Sequence, residues 1–382
     1  MSRHDEAAWA PQQIARDESR TRLRPSECTH AGRLSRRTLT VTTTAVVAIL
    51  AACGGGGTGT RARPTTSSSV PLPATTTTTT TAPPAVSAGT FGVGQRTDMY
   101  VDASRPTPAK GNAPGASTRT MPTTVLYPAS VAPGTAPTPN APPAAAGRPY
   151  PLLVFAHGFD ATPVMYASLL IRWASAGYVV VAPTIPFLNA DAPGGASHTD
   201  YGAPNIADLD FALSEALRRS ATPGDPIAGL VDPNRIAVAG HSDGEVLAYA
   251  LAFEGCCHDP RVKAVIPMAG NLANAEAAPS ATGVPVLHIM NDHDQYDSYT
   301  ASIAWDRQNL PTPRYLLTLV SETHVPAYTD PSDPHFDLVV QATVDFLNST
   351  LNGRADTTAA LQSLVAGAPN LATFETAGAP GQ

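Results

Sequence analysis

Ser242 stands in residues 240–244, which read GHSDG and match the pattern G-x-S-x-G. An apolar run at 236–238 predicts a strand before this motif, and residues 243–254 predict a helix after it. A serine at the tight turn between a strand and a helix is exposed as a nucleophile, and the glycines keep the turn free of clashing side chains. The helix N-terminus also stabilises negative charge beside the serine. The motif therefore predicts nucleophilic catalysis by Ser242.

The elements around the motif predict the fold that must position it. Short apolar runs without alternation are typical of strands buried on both faces, and they occupy residues 152–155, 178–181, 236–238, 264–266, 286–289 and 316–319. Apolar positions at helical spacing predict helices at residues 164–176, 205–219, 243–254 and 335–350. Residues 99–101 and 123–127 predict a pair of edge strands. This alternation predicts an α/β fold with a mostly parallel, doubly wound sheet and helices on both faces, in which sites form at the carboxyl ends of strands.

Charge and composition exclude several classes of function. The 382 residues include 24 Lys and Arg against 31 Asp and Glu, which gives a formal net charge of −7. This balance argues against a general binder of phosphate backbones, so we expect no nucleic-acid partner. The hydrophobic fraction of 43% is ample for a core, and four cysteines are too few for a disulfide scaffold. No apolar run reaches the roughly 18 residues that a membrane-spanning helix needs.

The first 53 residues predict a lipoprotein-type signal peptide. A basic region at 33–37 precedes an increasingly apolar segment at 38–52, which is too short to span a membrane. That segment ends in LAAC, which resembles the bacterial lipobox, whose cysteine, here Cys53, becomes the lipidated first residue. Residues 35–39, SRRTL, resemble a twin-arginine motif, so the export route, general secretory or twin-arginine, stays open. The sequence thus predicts an exported protein, lipid-anchored to the outer face of the bacterial cell membrane.

Three further segments follow the predicted signal. Residues 54–90 are rich in Gly, Thr and Pro and predict a disordered linker, because they have little apolar surface to bury. The catalytic domain is predicted to span residues 91–352. Residues 353–382 predict a weakly helical C-terminal tail.

Residues 231–244, VDPNRIAVAGHSDG, resemble the α/β-hydrolase superfamily. Within it the chain is most similar to the bacterial group that spans chlorophyllase-like, polyester-hydrolase (cutinase-like), dienelactone-hydrolase-like and platelet-activating-factor acetylhydrolase-like esterases. The resemblance covers about residues 91–350. It implies the α/β-hydrolase fold and a catalytic triad in the chain order serine, acid, histidine. The choice among these subgroups stays open.

The same resemblance implies His324 as the general base and Asp294 as the acid. His324 follows the predicted strand at 316–320, in a loop at the carboxyl end of a strand, where the superfamily places its base. Asp294 stands three residues after Asn291, which takes the glycine position of the superfamily pattern, and Asp292 is the alternative acid. The acid would fix the imidazole tautomer and stabilise the imidazolium.

An oxyanion loop is also implied by the resemblance. His157 and Gly158 follow the predicted strand at 152–156, and Gly158 lets the backbone approach the substrate. The implied donors are the backbone N–H groups of Phe159 and Asp243, and each such donor is typically worth about 3–4 kcal/mol in the transition state. Because these are backbone groups, substitution of the Phe159 side chain is expected to lower activity less than substitution of Ser242.

Other reactive side chains have structural interpretations. His288 lies within a predicted strand and is expected to pack in the core, and His335 is expected at the start of the final helix. Cys256 and Cys257 are adjacent, and two buried thiols are the favoured interpretation, with a disulfide as the alternative. Zinc or calcium at the acidic and imidazole groups of residues 291–294 would need further ligands in the right geometry, so we expect no metal and no cofactor.

Together these features predict an extracytoplasmic serine hydrolase that cleaves carboxylic ester bonds through a Ser-His-Asp triad and an acyl-enzyme intermediate. The choice of esters depends on the resemblance, because a serine peptidase or acyltransferase of the same fold has the same triad. A non-catalytic surface binding protein on a hydrolase scaffold is a further alternative. The expected substrates are small-molecule, lipid or polyester esters, and we expect a monomer attached to the membrane by its N-terminal lipid.

Overall fold

The computed structural model describes residues 90–197, 202–274, 279, 283–354 and 356–378. The predicted signal peptide at 1–53, with its lipobox Cys53, lies outside the described residues. So does the predicted linker at 54–90, except for its last residue. Within the described part of the chain, no helix combines the length and the apolar character needed to cross a membrane.

Ten strands of the described residues form one mostly parallel sheet. They are β1 (Gly92–Asp102), β2 (Arg119–Ala129), β3 (Thr138–Pro139), β4 (Tyr150–Ala156), β5 (Val179–Pro183), β6 (Val231–His241), β7 (Val262–Met268), β8 (Val286–Asn291), β9 (Arg314–Leu319) and β10 (Ala372–Ala377). Their order across the sheet is β10-β9-β8-β7-β6-β4-β5-β2-β1-β3. Strands β4 to β9 pair in parallel, whereas β2 is antiparallel to both β1 and β5. The predicted pairing of β1 with β2 is confirmed, although β2 lies inside the sheet and not at its edge.

Helices cover both faces of the sheet, because its central strands are apolar on both sides. The helices are α1 (Ala167–Ser175), α2 (Ala203–Ser220), α3 (Asp243–Phe253), α4 (Tyr299–Asn309), α5 (Pro326–Thr329), α6 (Phe336–Asn352) and α7 (Thr357–Gly367). One hydrophobic cluster includes Trp173 of α1 and Phe346 of α6, and a second includes Leu209 of α2 and Leu247 of α3. Every residue of β4 and β5 is buried between these layers. The predicted doubly wound α/β fold is confirmed.

The C-terminal segment corrects one sequence prediction. The helix expected after residue 352 is present as α7, but the chain does not then continue as a tail. Residues Ala372–Ala377 form β10, which pairs antiparallel with β9, so the sheet extends beyond the predicted domain boundary at 352. Only Ala372 of this strand is buried, so β10 has no local apolar pattern and is specified by the edge of β9.

Cys256 and Cys257 also correct a prediction. They form a disulfide shortly after the end of α3, whereas the sequence favours two buried thiols. The expectation of burial was wrong as well, since Cys256 is exposed and Cys257 is only half-buried. Adjacent cysteines in an exposed turn are held close by the backbone itself, so no packing of the core was needed to bring them together.

Candidate active site

Ser242 lies at the turn between β6, which ends at His241, and α3, which begins at Asp243. Its backbone φ is 56°, a left-handed conformation that a residue other than glycine adopts only under structural constraint. The Ser242 N–H donates to the carbonyl of Met268 at 2.9 Å, which ties the turn to the end of β7. A Cβ at Gly240 would collide with the carbonyl of Gly244, which explains why the motif needs small residues here. The turn is therefore rigid and presents the hydroxyl at the carboxyl edge of the sheet.

The structure brings together the three side chains that the sequence singled out. His324 Nε2 lies 2.9 Å from Ser242 Oγ, and His324 Nδ1 lies 2.6 Å from Asp294 Oδ2. The side chains of His324 and Asp294 are only 7% and 4% exposed, so these hydrogen bonds are shielded from bulk water. Asp294 follows β8 and His324 follows β9. Because these neighbouring strands are parallel, both residues lie at the carboxyl edge of the sheet, where Ser242 also lies.

Asp294, and not the alternative Asp292, contacts the imidazole. The second oxygen of Asp294 accepts from the backbone N–H groups of Tyr296 at 2.8 Å and Asp297 at 3.1 Å, which fixes the carboxylate in its turn. Asp292 instead accepts from the backbone N–H of Ser321 at 2.6 Å. Because the Asp294 carboxylate can only accept, Nδ1 of the imidazole donates to it, and Nε2 is left to accept the serine proton.

Asn291 does not act as the glycine-like turn residue that the sequence pattern suggested. It is the last residue of β8 and is buried. Its side-chain N–H donates to the carbonyl of Thr323 at 2.6 Å, and its oxygen accepts from the Tyr328 hydroxyl at 2.8 Å. Asn291 therefore joins the two loops that carry Asp294 and His324, which is a structural role that glycine could not perform.

The loop after β4 contains the predicted oxyanion residues. Gly158 packs so closely on the nucleophile that a Cβ there would lie 3.1 Å from Ser242 Cβ. Buried His157 donates from Nδ1 to the Gly158 carbonyl at 2.9 Å and accepts at Nε2 from the Ile185 N–H at 2.9 Å. Burial lowers the pKa of His157 to about 4, so the ring is neutral and can make both bonds. Phe159 follows Gly158 directly and Asp243 follows Ser242, so each predicted donor residue is next in sequence to one of two residues that pack together.

The chain is similar to a known protein family and to known structures. The family model for chlorophyllase matches residues 120–285. Among solved structures, the ferulic acid esterase from Streptomyces cinnamoneus is similar, with a TM-score of 0.57 and 22% sequence identity over 78% of this chain and 100% of that chain. The chain has the α/β-hydrolase fold. No curated protein matches it.

A hydrogen-bonded network that the sequence did not predict connects the two sides of this site. His241 Nε2 lies 2.8 Å from the carbonyl of His324, so that nitrogen carries the proton and donates. Its Nδ1, 2.9 Å from the Tyr166 hydroxyl, must then accept, while the Tyr166 oxygen accepts from the Gly158 N–H at 3.3 Å. Burial, and secondarily the charge of His324, lower the pKa of His241 to about 3, so the ring stays neutral. The position of His241 inside the serine motif was the available signal.

A buried charge cluster includes a residue of α3, the helix that begins directly after Ser242. His288 is buried in β8 as expected, but its partners are the carboxylates of Glu245 at 3.2 Å and Asp306 at 2.7 Å, and all three side chains are 0% exposed. Burial would lower the pKa of His288, but the two carboxylates outweigh it and raise that pKa to about 10. Glu245 also accepts from the Gly270 N–H at 2.7 Å. The sequence signals of this cluster were an acidic residue three positions after Ser242 and a histidine within an apolar strand.

Two groups of side chains in the described residues have the donors for a metal ion. They are Asp294 with Asp297 and His324, and Glu322 with Asp333 and His335. In the second group, His335 immediately precedes α6, as expected, and its Nδ1 lies 2.7 Å from Glu322. In each group the imidazole already hydrogen-bonds to a carboxylate, so both groups have partners without an ion. The expectation of no metal and no cofactor stays a prediction.

Proposed function

We propose that this protein is a serine esterase that cleaves carboxylic ester bonds through an acyl-enzyme intermediate. The observation that carries the proposal is the pair of hydrogen bonds from His324, at 2.9 Å to Ser242 Oγ and at 2.6 Å to Asp294 Oδ2. An imidazole that bridges a serine hydroxyl and a carboxylate is the geometry of an activated nucleophile. The matches to chlorophyllase and to a ferulic acid esterase favour carboxylic esters over peptides as substrates.

The reaction starts when Ser242 Oγ attacks the ester carbonyl and His324 Nε2 takes the hydroxyl proton. Asp294 holds the imidazole in the productive tautomer and stabilises the imidazolium, without taking its proton. The backbone N–H groups of Phe159 and Asp243 hold the oxyanion. His324 then returns the proton to the leaving alcohol oxygen, which gives the alcohol and an acylated Ser242.

Water then hydrolyses the acyl-enzyme, and His324 again acts first as the base and then as the acid. His324 takes a proton from water as its oxygen attacks the acyl carbonyl, and the tetrahedral intermediate collapses when Ser242 Oγ leaves and receives that proton. The products are one alcohol and one carboxylic acid for each ester and water consumed. The protein itself returns to its starting protonation state.

The proposed setting of this reaction is outside the cytoplasm. The signal at 1–53 and the lipobox support export and lipid attachment through Cys53, and the linker at 54–90 would hold the catalytic domain away from the membrane. The proposed substrates are therefore small-molecule, lipid or polyester esters that a membrane-attached monomer meets at the cell surface.

The test is turnover of a p-nitrophenyl ester and labelling by a fluorophosphonate probe in the full-length protein. Ser242→Ala should abolish labelling and lower kcat by at least about 10³-fold. Ser130→Ala, which changes an exposed serine just after β2, is the matched control and should behave as wild type. Equal rates in wild type and Ser242→Ala would refute the proposal. Labelling together with cleavage of peptides but not esters would indicate a peptidase, and absence of labelling would indicate a binding protein.

A further inference from the structure

A second carboxylate, Asp297, lies beside the proposed triad and has no step in the mechanism. One oxygen of Asp297, one oxygen of Asp294 and one ring nitrogen of His324 all lie within 4.8 Å of one another. The backbone holds this arrangement, because the Asp297 N–H donates to the Asp294 carboxylate at 3.1 Å. Asp294 and Asp297 also line the same small open cavity. Asp297 is thus close enough to the imidazole to act on its charge.

The charges that act most strongly on Asp297 come from three elements. The loop after β8 supplies Asp294, the loop after β9 supplies His324, and helix α3 supplies Glu245 and Asp243. Behind Glu245 lie His288 and Asp306, so the buried cluster contains one imidazole and two carboxylates. The other side chains that line the cavity are uncharged, namely Ala269, Met290, Asn291, Tyr299 and Ser302. Asp297 therefore faces more negative than positive charge.

This environment makes Asp297 a proton-binding group near neutral pH. Burial, followed by the charges of Glu245 and Asp294, raises the pKa of Asp297 to about 6. It is consequently ionised above that pH and neutral below it. Asp294 is hydrogen-bonded to His324 and to two backbone N–H groups.

We propose that Asp297 is a positioning residue of the esterase reaction, whose negative charge stabilises the imidazolium that His324 becomes when Ser242 attacks. The inference depends on the proposed function, because it assigns Asp297 an effect on that same base. An imidazolium is present in the transition state and absent in the ground state, so a fixed negative charge nearby accelerates the step selectively. When Asp297 takes a proton from solvent at low pH, this stabilisation is lost, and the stoichiometry of ester hydrolysis is unchanged.

The experiment compares the pH dependence of kcat and KM for a p-nitrophenyl ester in the full-length wild type and in Asp297→Asn, which imitates the protonated state at every pH. We expect Asp297→Asn to lower kcat about threefold to tenfold at pH 8 with little change in KM, because imidazolium stabilisation is lost. The pKa of the base in the pH profile should fall by about one unit, since the imidazolium loses a neighbouring negative charge.

Two variants separate this effect from other consequences of the substitution. Asp292→Asn removes one charge from the same loop without contact to His324, and its pH profile should match wild type. Asp297→Glu restores the charge and should recover most of the lost activity. An unchanged profile in Asp297→Asn, an equal shift in Asp292→Asn, or no recovery in Asp297→Glu would overturn the inference.

Labelling of the wild type tests the inference without any variant. The rate of fluorophosphonate labelling between pH 4 and pH 9 should show two ionisations on the acid side, one from His324 and one from Asp297. A single ionisation would contradict the role of Asp297. If wild type neither labels nor hydrolyses esters, the proposed function itself fails, whereas a reactive wild type with an unchanged Asp297→Asn profile refutes only this inference.

Discussion

Removal of the imidazole at residue 288 should destabilise the protein strongly, because His288 is the cation between two buried carboxylates. In His288→Leu, Glu245 and Asp306 would remain at 0% exposure without their counter-charge. Loss of one partner from a buried ion pair costs about 3–5 kcal/mol. The shift of the His288 pKa from 6.5 to about 10 corresponds to about 5 kcal/mol, which is of the same size. We therefore expect a loss of about 3–5 kcal/mol in the free energy of unfolding at pH 7.

The pH dependence has a definite sign. The folded pKa of His288 lies above the unfolded value, so its stabilisation is complete below pH 6.5 and is lost as the pH rises towards 10. The slope in this window is about 1.4 kcal/mol per pH unit. The wild type should therefore lose stability as the pH is raised from 7 to 9, and its difference from His288→Leu is compared at pH 7.

Urea unfolding of the full-length protein, with both midpoint and m-value, measures this difference. His293→Leu is the matched control, because His293 lies on the next loop with its side chain 66% exposed, and it should change stability by less than about 0.5 kcal/mol. Replacing all three members of the cluster by leucine should cost less than His288→Leu alone, since no unpaired charge remains. A loss below about 1 kcal/mol in His288→Leu, or a wild-type stability that does not fall between pH 7 and pH 9, would refute the idea of a charged cluster.

Two further substitutions test the geometry of the site. Asp294→Asn should lower kcat for a p-nitrophenyl ester by about 10²–10⁴-fold by favouring the wrong imidazole tautomer, whereas Asp292→Asn should stay near wild type, and similar losses in both would contradict the choice of acid. Tyr166→Phe leaves the Gly158 N–H and His241 Nδ1 without their shared hydroxyl, so it should lower the free energy of unfolding by about 1–3 kcal/mol and slow ester turnover. Wild-type values in both assays would show that this network is unimportant.

The apolar pattern of the chain was sufficient to predict the central sheet. The apolar runs of β4 to β9 lack alternation because both faces of these strands are covered by helices. The residue pattern within each strand therefore indicates its burial on both faces. The turn at Ser242 could also be predicted from local sequence, because a tight turn needs small residues at fixed spacing and glycines flank the serine. For the other two members of the proposed triad, a family resemblance supplied the positions, and both residues follow strands that end at the same edge of the sheet.

Features that depend on contacts between distant segments were decided only by the tertiary structure. Strand β10 is specified by the edge of β9, and the choice of Asp294 over Asp292 depends on which carboxylate the turn directs at His324. The pairing of Glu245 with His288 joins residues 43 positions apart in the sequence. No local pattern encodes such a pairing, because a buried charge is tolerated only after folding has brought its partner within hydrogen-bonding distance.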